Sequence, residues 1–230
     1  MTQRIGHDQI KEDPYMLCWS VKWLGKKIVS RSLLDFPAQF KKDPRSDYYL
    51  AKEIWPFIDR ADIIVGHNSD NFDLKWINGL FILHGLPQPS PYRKVDTYKS
   101  LNKYARFISH SLKYACRKLS VGHKMDTGGF DLWPKCMDGD EKAMKKMVRY
   151  CESDTKITEK LYVKLRPSIQ NHPNMNVYEG GNGCPLCMSI NMRANGKRYS
   201  MAGFKQGYVC GDCGKRFTLG KTITNTETRN

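Results

Sequence analysis

Acidic residues are scarce in this 230-residue chain: 23 Asp and Glu stand against 38 Lys and Arg, a formal net charge of +15. That imbalance points to a polyanionic partner, nucleic acid first and an anionic membrane surface second. Long hydrophobic runs are missing too. No apolar stretch approaches the ~18 residues a spanning helix needs, so no membrane segment is expected. The opening residues, Met1-Thr-Gln-Arg-Ile-Gly-His-Asp-Gln9, lack the hydrophobic centre of a signal peptide, and the expectation is a soluble, cytoplasmic protein. A disulfide frame is absent as well. Cys18, Cys116, Cys136 and Cys151 lie singly in segments that read as core or helix, while the other four cysteines form two Cys-x-x-Cys pairs near the C-terminus. No internal repeat is visible. With 40% apolar and 11% aromatic residues a packed core is within reach and wholesale disorder is excluded. The length suits one domain of roughly 150–170 residues and a small module.

Leu17–Trp23 and Ile28–Leu33 read as two strands joined by the basic turn Gly25-Lys-Lys27. Asp47 opens a helix with Leu50, Ile54, Phe57 and Ile58 at helical spacing, which Pro56 should end early or kink. Ala61–Gly66 is a short apolar run of the kind buried in a parallel sheet. A helix is expected from about Phe72 to His84, then a short strand at Lys94–Thr97, then one basic helix from about Tyr98 to Leu119. Gly122–Pro134 holds too many glycines for a regular element, and a long helix follows from about Asp140 to Leu165. Strands followed by alternating helix and strand favour an α/β domain with a mixed sheet.

The long helix carries an anomaly. Ala143, Met147, Tyr150, Asp154, Ile157, Leu161 and Leu165 recur in steps of three and four, so they form one inward face, and Asp154 sits in its middle. A buried carboxylate costs several kcal/mol unless a cation, a metal or strong donors match it. The competing reading makes Asp154 a cap at Ser153-Asp-Thr155, or a residue on the rim of the core. Asp73 is similar: it heads the inner stripe of the preceding helix, where a first-turn carboxylate is also ordinary helix chemistry. Ligands of open α/β sheets gather at the carboxyl ends of strands, and Asp73 follows such an end. Two carboxylates converging there, in so basic a chain, suggest a magnesium site that receives phosphates.

His67-Asn-x-x-x-Phe-Asp73 followed by Tyr150-x-x-x-Asp154 resembles the second and third motifs of the DEDD superfamily of 3′–5′ exonucleases, in its tyrosine-bearing branch with a ribonuclease H-like fold. Val95-Asp-Thr97 and Lys124-x-x-Thr-Gly-Gly-Phe-Asp-Leu-Trp133 are similar to pieces of a phage and bacterial group of such nucleases. The resemblance covers about residues 10–170. It implies an α/β, ribonuclease H-like mixed sheet flanked by helices over 1–170, in the cytoplasm of a bacterial or phage-infected cell. It also implies phosphodiester hydrolysis on DNA or RNA, with Asp73 and Asp154 ligating Mg²⁺ or Mn²⁺ and Tyr150 orienting the attacking water. The family's first motif, Asp-x-Glu on the first, central strand, occurs nowhere in this sequence. Asp8, Glu12 and Asp13 lie in a polar stretch that Pro14 ends, and are not expected to replace it. Three readings stay open: an N-terminally shortened nuclease, a chain whose strand another polypeptide supplies, or a non-catalytic nucleic-acid binder. The chain alone is expected to hydrolyse nucleic acid weakly or not at all. A replication or repair protein is a further candidate partner.

Cys184-Pro-Leu-Cys187 and Cys210-Gly-Asp-Cys213 read as two knuckles holding a structural Zn²⁺, and the segment resembles a zinc ribbon at 184–219, between a linker at 171–183 and a polar tail at 220–230. Gly214 suits the turn after the second knuckle; Met188 stands at the matching place in the first. Arg193, Lys197, Arg198 and Lys205, with Tyr199, Phe204 and Tyr208, mix cations and aromatics in a way that suits phosphate contact and base stacking, or alternatively a protein partner. Lys103, Arg106, Lys113 and Arg117 form a second basic element, either a strand guide or a solvated face.

Overall fold

The computed structural model describes residues 13–224; Asp8, Glu12 and the tail from 225 onward lie outside the described residues. In chain order come β1 (Cys18–Lys22), β2 (Ile28–Ser32), α1 (Pro37–Lys42), α2 (Tyr48–Asp59), β3 (Ile63–Gly66), α3 (Asp73–Leu83) and β4 (Arg93–Asp96). Then follow α4 (Thr97–Tyr104), α5 (Leu112–Lys118), α6 (Leu132–Met137), α7 (Glu141–Leu165), α8 (Met175–Glu179), β5 (Met192–Ser200), β6 (Gly203–Cys210) and β7 (Arg216–Ile223). None of the described helices is long and apolar enough to cross a membrane. The chain forms two compact units, the first from residues up to Ala61, Asn71–Pro91 and Gly122–Ile157, the second from Asp62–Asp70, Tyr92–Val121 and Thr158 onward.

In the first unit β1 and β2 pair antiparallel, Cys18 opposite Ser32 and Lys22 opposite Ile28. Trp19 is buried and its indole N–H donates to the Leu50 carbonyl at 3.0 Å, tying β1 to α2. Pro56 lies in the last turn of α2, which runs on to Asp59 and neither stops early nor loses its buried Ile58. Asp47, just before α2, is buried and accepts from the Met16 amide and His84 Nε2 at 2.9 and 2.8 Å. The Asp140 carboxylate caps α7, accepting from the amides of Lys142 and Ala143. Contacts between α7 and the hairpin are polar: Ser20 Oγ meets Thr155 Oγ1 at 2.6 Å, and Ser30 Oγ donates to Glu152 at 2.8 Å. Beside them Cys18 and Cys151 share a hydrogen bond, which pushes the Cys18 thiol up and brings Cys151 down to about 7. Of the four single cysteines, then, Cys116 and Cys136 are buried thiols while Cys18 and Cys151 form a half-buried pair.

In the second unit β3 and β4 pair parallel, Ile63 opposite Arg93 through Gly66 opposite Asp96. Val95, Tyr162 and Ile169 form a buried cluster, with Ile63, Val65 and Leu165 packed on it. Both strand directions of the expected mixed sheet are present, but as two separate two-stranded sheets, because no described strand bonds to both pairs. With one partner strand, β3 is half-buried throughout rather than buried.

Four segments differ from the sequence reading. The single basic helix is two, α4 and α5, because between them Ala105 is extended, His110 Nε2 bonds the Ala105 carbonyl, and Ser109 and Ser111 side chains take local backbone amides. The glycine-rich loop ends sooner, since Leu132 to Pro134 open α6, where an early proline lacks no needed bond. The linker holds α8, capped by the Asn174 side chain and stopped by Gly180 at φ 70°. β7 extends to Ile223, into the stretch read as tail.

Candidate functional site

Asp154 of α7 is the centre of the candidate site in the first unit. Its Oδ2 receives the Lys124 ammonium at 2.8 Å, and its Oδ1 is buried without a hydrogen-bond partner. Tyr150 lies one turn earlier on the helix, with Lys124 Nζ 4.8 Å from its ring centroid. Partial burial alone would pull the Lys124 pKa down, but hydrogen bonds to Asp154 and Tyr150, with the Asp154 charge, outweigh it, so the ammonium ends above its ordinary value. The anomaly on the inner face is therefore matched by a cation, one of the solutions the burial argument demands. The side chains are 28% and 23% exposed. Between a surface pair and a fully buried one, the interaction is of order 1–2 kcal/mol.

Local chain geometry sets this up. Gly122, at φ 146°, passes so close to α7 that a Cβ would stand 3.3 Å from Ile157 Cγ2. Lys124 then needs only two further residues to reach a carboxylate one turn up the helix. Sequence reading did not assign Lys124 a role, although it noted the residue. Periodicity says nothing about a lysine in an irregular loop; the usable signal was a carboxylate on an apolar face that required a partner.

Asp73 belongs to the same unit as Asp154 and Tyr150 and stands exposed in the first turn of α3. Among the described residues, no three carboxylate or imidazole groups cluster as metal ligands. The unpartnered, buried Oδ1 of Asp154 is the feature here that suits a divalent ion, and two carboxylates with water are enough for one magnesium.

The His67-Asn68 end of the second motif lies in the second unit and has a structural task there. Thr97 Oγ1 donates to the Gly66 carbonyl, and His67 Nδ1 meets the same hydroxyl, each at 2.9 Å. Asp96 is buried and accepts from the amides of Asn68, Asp70, Tyr98 and Lys99 at 2.9–3.2 Å. It thus caps α4 and fixes the turn after β3 at once. The Val95-Asp-Thr97 piece is the clasp of the β3–β4 pair.

Cys184, Cys187, Cys210 and Cys213 converge with all four sulfurs within 4.8 Å of one another. The Cys184–Cys213 and Cys187–Cys210 separations are both 3.6 Å. Four sulfurs ~2.3 Å from a tetrahedral zinc stand ~3.8 Å apart, so the cluster could hold that ion. Both knuckles close alike: Met188 and Gly214 amides donate to the Cys184 and Cys210 carbonyls, and the Cys184 and Cys210 amides donate to Ser189 and Lys215. The residue after each knuckle is left-handed, Met188 at φ 60° and Gly214 at φ 73°. A Cβ on Gly183 would fall 2.2 Å from the Met188 carbonyl oxygen, so glycine is needed there.

The basic residues are split in placement. Lys103 is on α4, Lys113 and Arg117 on α5, and Arg106 in the break between them, all exposed. Arg117 covers the Tyr114 ring at 5.6 Å. Arg193, Lys197 and Arg198 are exposed on β5, and Lys205 is half-buried on β6. Arg198 and Lys205 are direct cross-strand partners, a like-charge pair that repels unless an anion lies between.

No curated protein matches the chain. The profile of the RNase_H superfamily (RNase_H_2) matches residues 20–166, well over half of the chain, from within β1 through the end of α7. The chain belongs to the RNase H superfamily.

Proposed function

We propose that this chain is a metal-dependent 3′–5′ exonuclease-like protein that acts on DNA or RNA by phosphodiester hydrolysis. The observation that carries the reading is the Asp154 carboxylate, one oxygen buried and unpartnered and the other held by Lys124, in a member of a nuclease superfamily. Asp73 and Asp154 are the metal ligands, and Tyr150, one helical turn from Asp154, orients the attacking water. A divalent ion held there would stabilise negative charge on the attacking and leaving oxygens. Lys124 holds the Asp154 carboxylate in one orientation and adds a positive charge for an incoming phosphate. The four cysteines carry a structural zinc, and Lys103, Arg106, Lys113, Arg117, Arg193, Lys197, Arg198 and Lys205 contact the nucleic-acid backbone. An anion between Arg198 and Lys205 would relieve their repulsion.

A second reading has its own support. The Lys124 ammonium already neutralises Asp154, which suits a non-catalytic nucleic-acid binder on the same fold. End-labelled single strands incubated with Mn²⁺ separate the two. The proposal expects slow cleavage by the chain and none by Asp154→Asn. Binding without cleavage by either protein favours the non-catalytic reading. Equal cleavage by both removes Asp154 from the chemistry.

A further inference from the structure

The glycine-rich loop before α6 runs along α7 in the opposite direction. Gly122 lies against Ile157, Lys124 reaches Asp154 and Tyr150, and a Cβ on Gly128 would stand 3.3 Å from Lys146 Nζ. Lys146, Tyr150 and Asp154 are successive residues of one helical stripe, so Lys146 is ~12 Å along the axis from Asp154. Asp126 accepts from the Gly128 amide at 3.0 Å, turning its carboxylate into the loop. Gly128 and Gly129 follow, both with positive φ, at 77° and 105°. Phe130 follows, ~7 Å of chain at most beyond Gly128.

Phe130 is 77% exposed, yet its ring is not loose. It stacks on Trp133 with centroids 5.8 Å apart and planes within 15°. The Trp133 amide donates to the Phe130 carbonyl at 3.2 Å, and the tryptophan is set in α6 between buried Leu132 and Cys136. An exposed phenyl ring in offset, near-parallel contact with a half-buried indole leaves most of its surface open to solvent. Burial does not explain that arrangement, and a flat apolar ligand would use it.

We infer that Phe130, beside Trp133 on the loop whose Gly128 passes Lys146, is a stacking platform for a nucleobase of single-stranded nucleic acid. The ligand class follows from the setting: a cation stripe of Lys124 and Lys146 tracks the backbone while an aromatic face takes a base, in a chain of net charge +15. Stacking tolerates any base, so the platform gives grip and register rather than sequence preference. The inference rests on the nucleic-acid reading of the site, but not on hydrolysis.

The test is fluorescence anisotropy with the full chain and labelled oligothymidylate and oligouridylate, in the absence of divalent ions. Phe130→Ala should weaken binding of at least one strand roughly tenfold, the size of one stacked base. Phe130→Tyr should restore it, and all three proteins should melt at the same temperature. A fully abasic strand should bind wild type and Phe130→Ala alike. Unchanged affinity in Phe130→Ala overturns the platform, as does an equal loss on the abasic strand. Asp154→Asn separates the two proposals: if it and wild type bind equally and neither cleaves, the platform stands without the nuclease.

Discussion

The cysteine cluster could hold a cation and the Asp154 carboxylate is paired with one, and the two places are built in opposite ways. The cysteines come from two short knuckles whose backbones close by the same pair of amide bonds, and two of their sulfur pairs stand at 3.6 Å, near the ~3.8 Å spacing of thiolates around zinc. Asp154 draws its partner from a loop 30 residues away, and that partner is a lysine. Both sites bridge about 30 residues of chain, but each knuckle brings two sulfurs on one closed turn, whereas Asp154 and Lys124 bring one group each and depend on how a helix and an irregular loop are held. Removing the cation should therefore have very different consequences at the two places.

The largest effect is expected at the cysteines. Zinc binding to four thiolates is worth on the order of 10 kcal/mol or more of folding free energy in small modules. A strong chelator, or Cys210→Ser, should abolish hydrogen-exchange protection across β5, β6 and β7 while the amides of α2 and the first turns of α7 keep theirs. Unchanged protection of residues 192–223 after complete zinc removal would end the parallel drawn between the two sites.

At Asp154 the effect should be smaller, and reversible by a second change. Lys124→Met leaves a partly buried carboxylate with no cation, and denaturant unfolding should show a loss of about 1–2 kcal/mol. Asp154→Asn in the same chain should recover most of it, since the uncompensated charge is then gone. Mn²⁺ should raise the melting temperature of Lys124→Met more than that of wild type. If manganese acts equally on both proteins, Lys124 and the ion do not compete for one carboxylate.

How much of this was legible in the sequence follows the same divide. The two Cys-x-x-Cys knuckles state their own geometry, and the alternating Leu17–Trp23 and Ile28–Leu33 segments state the hairpin, because all the determinants lie within a few residues. The inward face of α7 was equally readable from spacing, with Ala143, Met147, Ile157 and Leu161 all buried. The break between α4 and α5 was not, because the hydroxyls of Ser109 and Ser111 and the His110 ring undo a helix that composition alone favours. Nor was Asp96, whose four amide contacts depend on how β3 and β4 pair. Lys124 belongs with these: the need for a counter-charge was plain, and its source was a matter of tertiary placement.

The two knuckles can also be set against each other. Met188 occupies the left-handed region that Gly214 occupies in the second knuckle, at a cost of ~1–2 kcal/mol for a residue with a Cβ. The residue is 39% exposed, so the burial available to offset that cost is partial. Met188→Gly should tighten zinc in a chelator competition, and Gly214→Ala should weaken it by a similar factor. If both changes leave zinc affinity untouched, the turn conformation is not limiting at either knuckle.

The smallest effect separates a neutral partner from the charged ones. His172 Nδ1 faces the Pro173 carbonyl at 2.7 Å and must donate, so Nε2 accepts from the Tyr162 hydroxyl at 2.6 Å. Burial pushes the His172 pKa down, the charges of Arg166 and Lys215 push the same way, and the Pro173 carbonyl opposes them. A histidine depressed in the folded state binds its proton more readily when unfolded. Its contribution is therefore complete above the ordinary value near 6.5 and is lost as pH falls from there through the lower folded value. Protonation also removes the acceptor for Tyr162, which stacks on the imidazole with centroids 5.7 Å apart. His172→Gln keeps an acceptor and cannot titrate, so the stability difference between wild type and variant should shift toward the variant as the pH is lowered from 7 to 5. Zinc loss and carboxylate protonation act on both proteins alike and cancel in that difference. A difference that stays flat with pH would mean the proton is taken up as easily in the folded chain, and the cluster of Val95, Tyr162 and Ile169 would then tolerate a charge at its edge as readily as the Asp154 site does.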